Sequence, residues 1–338
     1  MTSSPISDAA APPPVAIADI EAAAERIAGQ AVVTPLVESP SLSALIGGRA
    51  LVKAEMLQRT GSFKFRGAYN AISRIPEGRR SRGVVAFSSG NHAQGVAAAA
   101  QLMGMPAVIA MPKDAPAIKV ANTRGYGAEV VFFDREKDDR EALGRQLVEK
   151  HQATLIPPYD HPQVIAGQGT VGLEIAAQAR ALGATPDAVV IPCGGGGLCA
   201  GTSLAIRARL PSAAIYAAEP ADFDDTARSL RSGRRERNRP GVKSFCDALL
   251  LPTPGAITFP INRTTLAGGL AVTDGEVALA MEAAFTHLKL VGEPGGSVAL
   301  AAVLTRKYDA RGKTVVVVMS GGNVDAATFT GALVRAKA

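Results

Sequence analysis

From residue 84 onward, short apolar runs alternate with stretches of helical periodicity, and this alternation leaves few folds open to the chain. Residues 84–87, 107–111, 129–133, 154–156, 188–192, 214–218 and 315–319 read as strands, and the stretches 92–103, 115–124, 138–151, 167–182 and 198–209 read as helices. Further helices are expected at 17–28, 67–73, 275–288 and 296–305, and short strands at 34–36 and 50–53. Strands apolar at nearly every position, rather than at every second one, belong to parallel sheets covered on both faces. The expected class is therefore α/β, with open, mostly parallel sheets flanked by helices. No internal repeat or long linker interrupts the pattern, so a second unit is expected as an insertion.

Composition narrows the function more than the fold. Aromatic residues make up 4% of the 338, against 47% apolar overall, which favours close helix-on-sheet packing over a binding surface of aromatic side chains. The net charge of +6 comes mainly from two short runs, Arg79-Arg80-Ser81-Arg82 and residues 231–239. Neither run is interleaved with aromatics, so both read as solvated loops and nucleic acid is not an expected partner. Cys193, Cys199 and Cys246 form no CxxC pair, and their odd number suits a reducing compartment. The N-terminus lacks the basic and apolar regions of a secretory signal, and the most apolar stretch, 95–111, is broken by Gly104 and Pro106. A cytoplasmic protein without a membrane partner is the expectation.

Three polar or glycine-rich turns directly follow strands, where open α/β sheets bind ligands. Gly194-Gly195-Gly196-Gly197-Leu198 lets backbone approach an anion at a helix start; without GxGxxG spacing or a Walker lysine, a phosphate monoester fits best. The turn Ser88-Ser89-Gly90-Asn91-His92 offers N–H groups and hydroxyls suited to a carboxylate, or a plain helix cap. The turn Ser320-Gly321-Gly322-Asn323 brings a hydroxyl that can meet a ring nitrogen. Upstream, Lys64 stands between Phe63 and Phe65. Desolvation lowers an amine's pKa, and a neutral amine attacks aldehydes, although a lysine that snorkels past two core rings gives the same pattern. Glu219, Asp222, Asp224 and Asp225 form the densest acidic cluster, suited to magnesium or calcium or else to a solvated loop.

Taken in order, SFKFRGA, SSGNHAQG, VIAGQGT, CGGGGL, AAEP, HLKLVGEPGGSVALAA and SGGN make the chain resemble the fold-type II pyridoxal-phosphate enzymes of the serine/threonine dehydratase and serine racemase family, from about Ile17 to the C-terminus. The resemblance implies a tryptophan synthase β-subunit-like architecture. A large cofactor-binding domain would comprise 16–79 and 159–338, with a small substrate-clamping domain, 80–158, inserted and a disordered tail at 1–15. It implies that Lys64 carries the cofactor and removes the α-proton, that Phe63 packs on the ring, and that Asn91 bonds its phenolic oxygen. Gly194 to Leu198 would hold the phosphate and Ser320 would meet the pyridine nitrogen. Ser88, Ser89, Asn91 and His92 would grip the substrate carboxylate, with Arg140 and Ser244 lining the substrate pocket. Glu219, the carbonyl of Phe223 and Asp225 would bind a divalent cation.

The implied activity is dehydration and deamination of L-threonine or L-serine, most simply by a cytoplasmic homodimer. Serine or aspartate racemisation, with Ser89 opposite Lys64, and dehydration of L-threo-3-hydroxyaspartate, with Arg140 pairing its second carboxylate, are the alternatives on the same scaffold. A noncatalytic anion- or nucleic-acid-binding protein is the rival from another class. Asn238-Arg239-Pro240-Gly241 replaces the alanine-aspartate-glycine expected ahead of Ser244, which weakens that assignment.

Overall fold

The structure, a computed structural model, describes residues 14–336 except 89, 135 and 136 and the side chains of 140 and 141. Its strands are β1 (Leu36–Glu38), β2 (Arg49–Ala54), β3 (Val84–Phe87), β4 (Ala107–Pro112), β5 (Glu129–Phe133), β6 (Thr154–Leu155), β7 (Ala188–Pro192), β8 (Ala214–Pro220), β9 (Gly268–Val272) and β10 (Thr314–Met319). They form two sheets, a six-stranded one in the order β1-β2-β10-β7-β8-β9 and a four-stranded one in the order β5-β4-β3-β6. Every pairing is parallel except β1 with β2. The central strand β10, TVVVVM, is buried from Val315 to Met319, as a strand covered on both faces must be.

The helices are α1 (Ile17–Ile27), α2 (Pro40–Ile46), α3 (Lys64–Ser73), α4 (Glu77–Arg80), α5 (Asn91–Leu102), α6 (Ala117–Gly125), α7 (Arg140–His151), α8 (Pro162–Ala181), α9 (Gly197–Arg209), α10 (Asp225–Ser232), α11 (Thr258–Thr265), α12 (Asp274–Ala283), α13 (Pro294–Leu304) and α14 (Ala326–Arg335). Among the described residues none is long and apolar enough to cross a membrane. The 67–73 expectation was three residues short at its start, because α3 begins at Lys64 itself. The basic runs are loops only in part: Arg79 and Arg80 lie in α4 and Arg231 in the last turn of α10, while residues 233–239 form a loop as expected. Most of the expected tail, 1–13, lies outside the described residues, but Val15 is a correction to its boundary. It packs with Ile20, Ile165 and Ala200 in the core.

Small residues let three helices meet backbone to backbone. A Cβ on Gly201 of α9 would lie 2.2 Å from the Ile165 carbonyl of α8, and one on Gly167 of α8 would lie 2.6 Å from the Arg66 carbonyl of α3. This contact seats the start of α3 against α8 and the large sheet.

The same helix carries a buried ionic cluster centred on Arg66, two residues after Lys64. Arg66 donates to both carboxylate oxygens of Glu55, at 2.8 Å each, and to Glu174 at 2.6 and 2.8 Å. Lys53 reaches the same Glu174 at 2.6 Å, and Arg66, Lys53 and Glu55 are all fully buried. Arg66 is held above its already high value by these carboxylates despite burial, and Glu55 is held below the usual carboxylate range by Arg66. The network joins α3 to β2, α8 and the turn at Thr34. Removing one partner from a buried, hydrogen-bonded pair leaves an unmatched charge, so Glu55→Ala should cost about 3–5 kcal/mol in denaturant unfolding. A loss within the scatter of ordinary surface substitutions would show that α3 is held by packing alone.

Candidate active site

The turns singled out in the sequence meet at a cavity of ≈ 480 Å³ lined by Phe63, Lys64, Ser88, Asn91, His92, the 194–198 segment, Glu293 and Ser320, among others. Two of the turns clasp each other. The Phe63 N–H donates to the Ser320 carbonyl at 3.1 Å, the Gly322 N–H to the Gly61 carbonyl at 2.9 Å, and the Asn323 amide to the Thr60 carbonyl at 2.8 Å. Gly61 adopts φ +70°, and a Cβ there would meet the Asn323 side chain at 2.5 Å, so this turn requires glycine.

The clasp fixes Lys64 at the first position of α3. Its Nζ donates to the Pro158 carbonyl at 2.6 Å and lies 5.1 Å from the Phe63 ring centroid. Desolvation pushes the amine down to about 8, while the Glu293 carboxylate acts in the opposite direction.

The glycine turn is shaped from behind. Its carbonyls are taken by Thr258 Oγ1 (to Gly195, 2.6 Å) and Asn262 Nδ2 (to Gly196, 3.3 Å), and Asp160 accepts the N–H groups at the start of α11 that place these two side chains. Gly196 has φ +88°, and a Cβ on Gly195 would strike the Tyr159 ring at 2.4 Å. No hydrogen bond among the described residues takes up the N–H groups of Gly194 to Leu198. A concave backbone with unclaimed donors at the start of a 13-residue helix has the geometry that suits an anion.

The second turn starts α5. Ser88 is half-buried, and its Oγ accepts from the Gly90 N–H at 3.2 Å. Ser89 lies outside the described residues. Asn91 accepts from Asn323 through Oδ1 at 2.9 Å and donates from Nδ2 to Glu293, leaving one amide hydrogen. His92 uses Nε2 on the Ile156 carbonyl at 2.8 Å, and burial, assisted by the Lys64 charge, pushes it down to about 3. It is a neutral ring with a buried, unpartnered Nδ1.

Sequence reasoning missed several wall residues. Glu293 sits in a quoted motif without a role; it is fully buried, and desolvation raises its pKa. Lys119 of α6 bridges Asp247 at 2.7 Å and Glu293 at 3.4 Å, and only its position within an otherwise weakly charged helix hinted at burial. Gln168, in VIAGQGT, is buried with both amide atoms unpartnered against Gly67, one turn along from Lys64. Tyr159 gave no signal, since it stands in a connection after two prolines.

Other expected residues lie elsewhere. Ser244 does not line the cavity: its Oγ donates to Asp274 at 2.5 Å and accepts from the Cys246 N–H, and the segment 247–253 occupies the wall instead. Arg140 begins α7, with its side chain outside the described residues. The acidic cluster lies outside the cavity lining, at the end of β8 and the start of α10. Both Glu219 oxygens accept N–H groups of α10, from Thr226 at 2.9 Å and Ala227 at 2.8 Å, and Phe223 closes the turn before it. Asp225 Oδ1 accepts from Asn238 at 2.6 Å, whereas Oδ2 is buried without a partner. Desolvation raises the pKa of both acids, Asp225 to about 6. No three His, Cys, Asp or Glu side chains among the described residues converge as a metal-binding group.

Because α3 is set by its packing and Lys64 by desolvation, competitive acetylation of the ligand-free protein should give Lys64 a reactivity midpoint near pH 8, moving lower in Glu293→Gln, where the carboxylate that favours the charged amine is gone. A midpoint near the ordinary 10.5 would show that the amine is hydrated.

The sequence profile described as "Pyridoxal-phosphate dependent enzyme" matches residues 27–321. An L-threo-3-hydroxyaspartate ammonia-lyase from Pseudomonas sp is 48% identical over 91% of this chain and 95% of its own length. A serine racemase from Schizosaccharomyces pombe is 40% identical over 91% and 94%. The crystal structure of a threonine deaminase from T.th. superposes with a TM-score of 0.86 at 44% identity, covering 92% of this chain and 99% of that one.

Proposed function

The chain belongs to the pyridoxal-phosphate-dependent enzyme family, and on that premise we propose that it is an ammonia-lyase of β-hydroxy amino acids, with L-threo-3-hydroxyaspartate preferred over L-serine and L-threonine. The observation that carries this reading is a desolvated lysine amine in a cavity that also contains two helix starts suited to anions. The similarity to the Pseudomonas ammonia-lyase carries the substrate preference over the L-threonine or L-serine expected from sequence.

The cavity fits pyridoxal phosphate. The N–H groups of Gly194 to Leu198, unclaimed among the described residues, suit a phosphate, and the Gln168 amide, buried with both polar atoms unpartnered, needs a bound partner. Lys64 would hold the cofactor, Phe63 would pack on its ring, Gly194 to Leu198 would hold its phosphate, Ser320 would meet its ring nitrogen and Asn91 its phenolic oxygen. When bound, the cofactor supplies an electron sink for negative charge at the substrate α-carbon.

The protein's own part is orientation and proton transfer. The N–H groups at the start of α5, that of His92 among them, and the hydroxyls of Ser88 and Ser89 orient the substrate carboxylate, while the His92 ring, held neutral with Nε2 on the Ile156 carbonyl, adds no charge there. Lys64 takes the α-proton; an amine near 8 exchanges protons readily at neutral pH. A hydroxyl at Ser320, unlike a carboxylate, would not stabilise a charged ring nitrogen of the bound cofactor, which would favour loss of the β-hydroxyl, leaving as water once protonated, over a long-lived negative charge at the α-carbon. The walls come from both sheets' surroundings, with Lys119 on one side and Asp247 and Glu293 on the other. On this reading the large domain comprises 16–79 with 159–338, and 80–158 is the inserted small domain.

The acidic cluster is proposed to bind a divalent cation through Glu219, the Phe223 carbonyl and Asp225, a set of hard oxygens that includes the orphaned Asp225 Oδ2. Raised carboxylate pKa values make the cation-free protein lose stability as pH rises from the unfolded value toward the folded one, about 6 for Asp225. Added magnesium or calcium should therefore raise Tm by an increment that grows from pH 5 to pH 7.5 and vanishes in Asp225→Asn. A pH-independent increment, or one retained in the variant, would place the cation elsewhere.

The proposed activity is tested by release of 2-oxo acid and ammonia from the cofactor-loaded protein given L-threo-3-hydroxyaspartate, L-serine, L-threonine and their D-forms. Fastest release from L-threo-3-hydroxyaspartate is expected. Release favouring L-threonine would reassign the substrate, and inversion of L-serine without oxo acid would replace the lyase with a racemase.

A further inference from the structure

Cationic side chains on the cavity wall are unequally engaged. Lys119 is matched by Asp247 and Glu293, Lys64 is the reactive amine, and His92 is neutral. Arg235 and Arg237, from the basic run read as solvated in the sequence, also line the cavity. Arg235 donates Nε to the Pro254 carbonyl at 2.8 Å, next to Gly255, whose N–H meets the Gly195 carbonyl. It therefore stands at the glycine-turn end.

Arg237 differs. Its exposed guanidinium has no hydrogen bond or ion pair among the described residues, yet its backbone is firmly held. Arg228 donates to the Arg237 carbonyl at 3.0 Å. The adjacent Asn238 donates its N–H to the Pro252 carbonyl at 2.9 Å, and its amide to the Leu251 carbonyl at 2.7 Å and to Asp225 at 2.6 Å. Leu251 and Pro252 are themselves wall residues. A cation without a partner among the described residues thus sits on a braced loop beside the wall residues Leu251 and Pro252.

We propose that Arg237 pairs with the second carboxylate of a dicarboxylic β-hydroxy amino acid and so sets the preference for 3-hydroxyaspartate over serine. The inference rests on the function proposed above and names the residue that gives it selectivity. Such a substrate and the cofactor together bring three anionic groups. The start of α9 suits the phosphate and the start of α5 the α-carboxylate, which leaves one carboxylate for a side-chain cation. A guanidinium meets a carboxylate with two parallel hydrogen bonds, and a braced backbone leaves less freedom to lose on binding. Arg140, which the sequence suggested for this task, provides the comparison.

The test compares the wild type, R237Q, R237K and R140Q, each loaded with cofactor and checked for an unchanged thermal midpoint. Succinate binding by calorimetry is measured alongside the ratio of kcat/KM for L-threo-3-hydroxyaspartate to that for L-serine. Loss of a charge-assisted pair should weaken succinate binding, and lower the ratio, by roughly tenfold to a hundredfold in R237Q. R237K should fall between R237Q and the wild type. Equal succinate binding by the wild type and R237Q would overturn the proposal, as would an effect confined to R140Q. Loss of cofactor from R237Q would also overturn it, by assigning Arg237 to the phosphate. A wild type that processes serine or threonine but neither binds succinate nor processes hydroxyaspartate would instead remove the substrate preference itself, and the role of Arg237 with it.

Discussion

Keeping one lysine amine out of water is the constraint on which this site depends. Lys64 can be desolvated only because the turn ahead of it is stitched to the turn after β10, and because glycines bring α3 and α8 into backbone contact. An ammonium so placed is disfavoured, and its pKa falls toward neutrality. The reactive property is a consequence of packing rather than of any single neighbour. Behind it, Arg66 anchors the same helix through charges that never reach the cavity.

Charge around the cavity follows one rule: where it is buried it is matched, and where a ligand is expected it is left open. Lys119 meets Asp247 and Glu293, and Arg66 meets Glu55 and Glu174. Open positions near the cavity and the acidic cluster include backbone N–H groups at two helix starts, the Gln168 amide, His92 Nδ1 and Asp225 Oδ2. Buried polar atoms without partners are rare in folded proteins. Among those of the described residues, His92 Nδ1 and both Gln168 amide atoms belong to residues that line the cavity, where a bound group would complete them, whereas Thr202, His151 and others do not line it.

Much of this was legible in the sequence, for identifiable reasons. Parallel strands buried on both faces announce themselves as apolar runs, and glycine turns after strands mark the ligand side of the sheets. What stayed hidden depended on contacts distant in sequence. Lys119 and Glu293 are 174 residues apart, and no local pattern joins them. Ser244 was misplaced because the nearby segment 238–241 departs from the expected pattern, and the structure gives the wall to 247–253. Arg237 looked like one more solvated charge because exposure near a cavity and exposure on an open loop have the same local sequence. Of the elements not foreseen, α2 and β9 are short, while α11 and α14 pack on helices distant in sequence, α9 and α12 respectively.

The most direct measurement is to reduce the cofactor-loaded protein with borohydride and map the modified peptide by mass spectrometry. A pyridoxyl group on Lys64, in the peptide running into FRGAYNAIS, is the predicted result. Modification of Lys119, Lys53 or any other lysine in its place would contradict the assignment of the reactive amine and the site built around it.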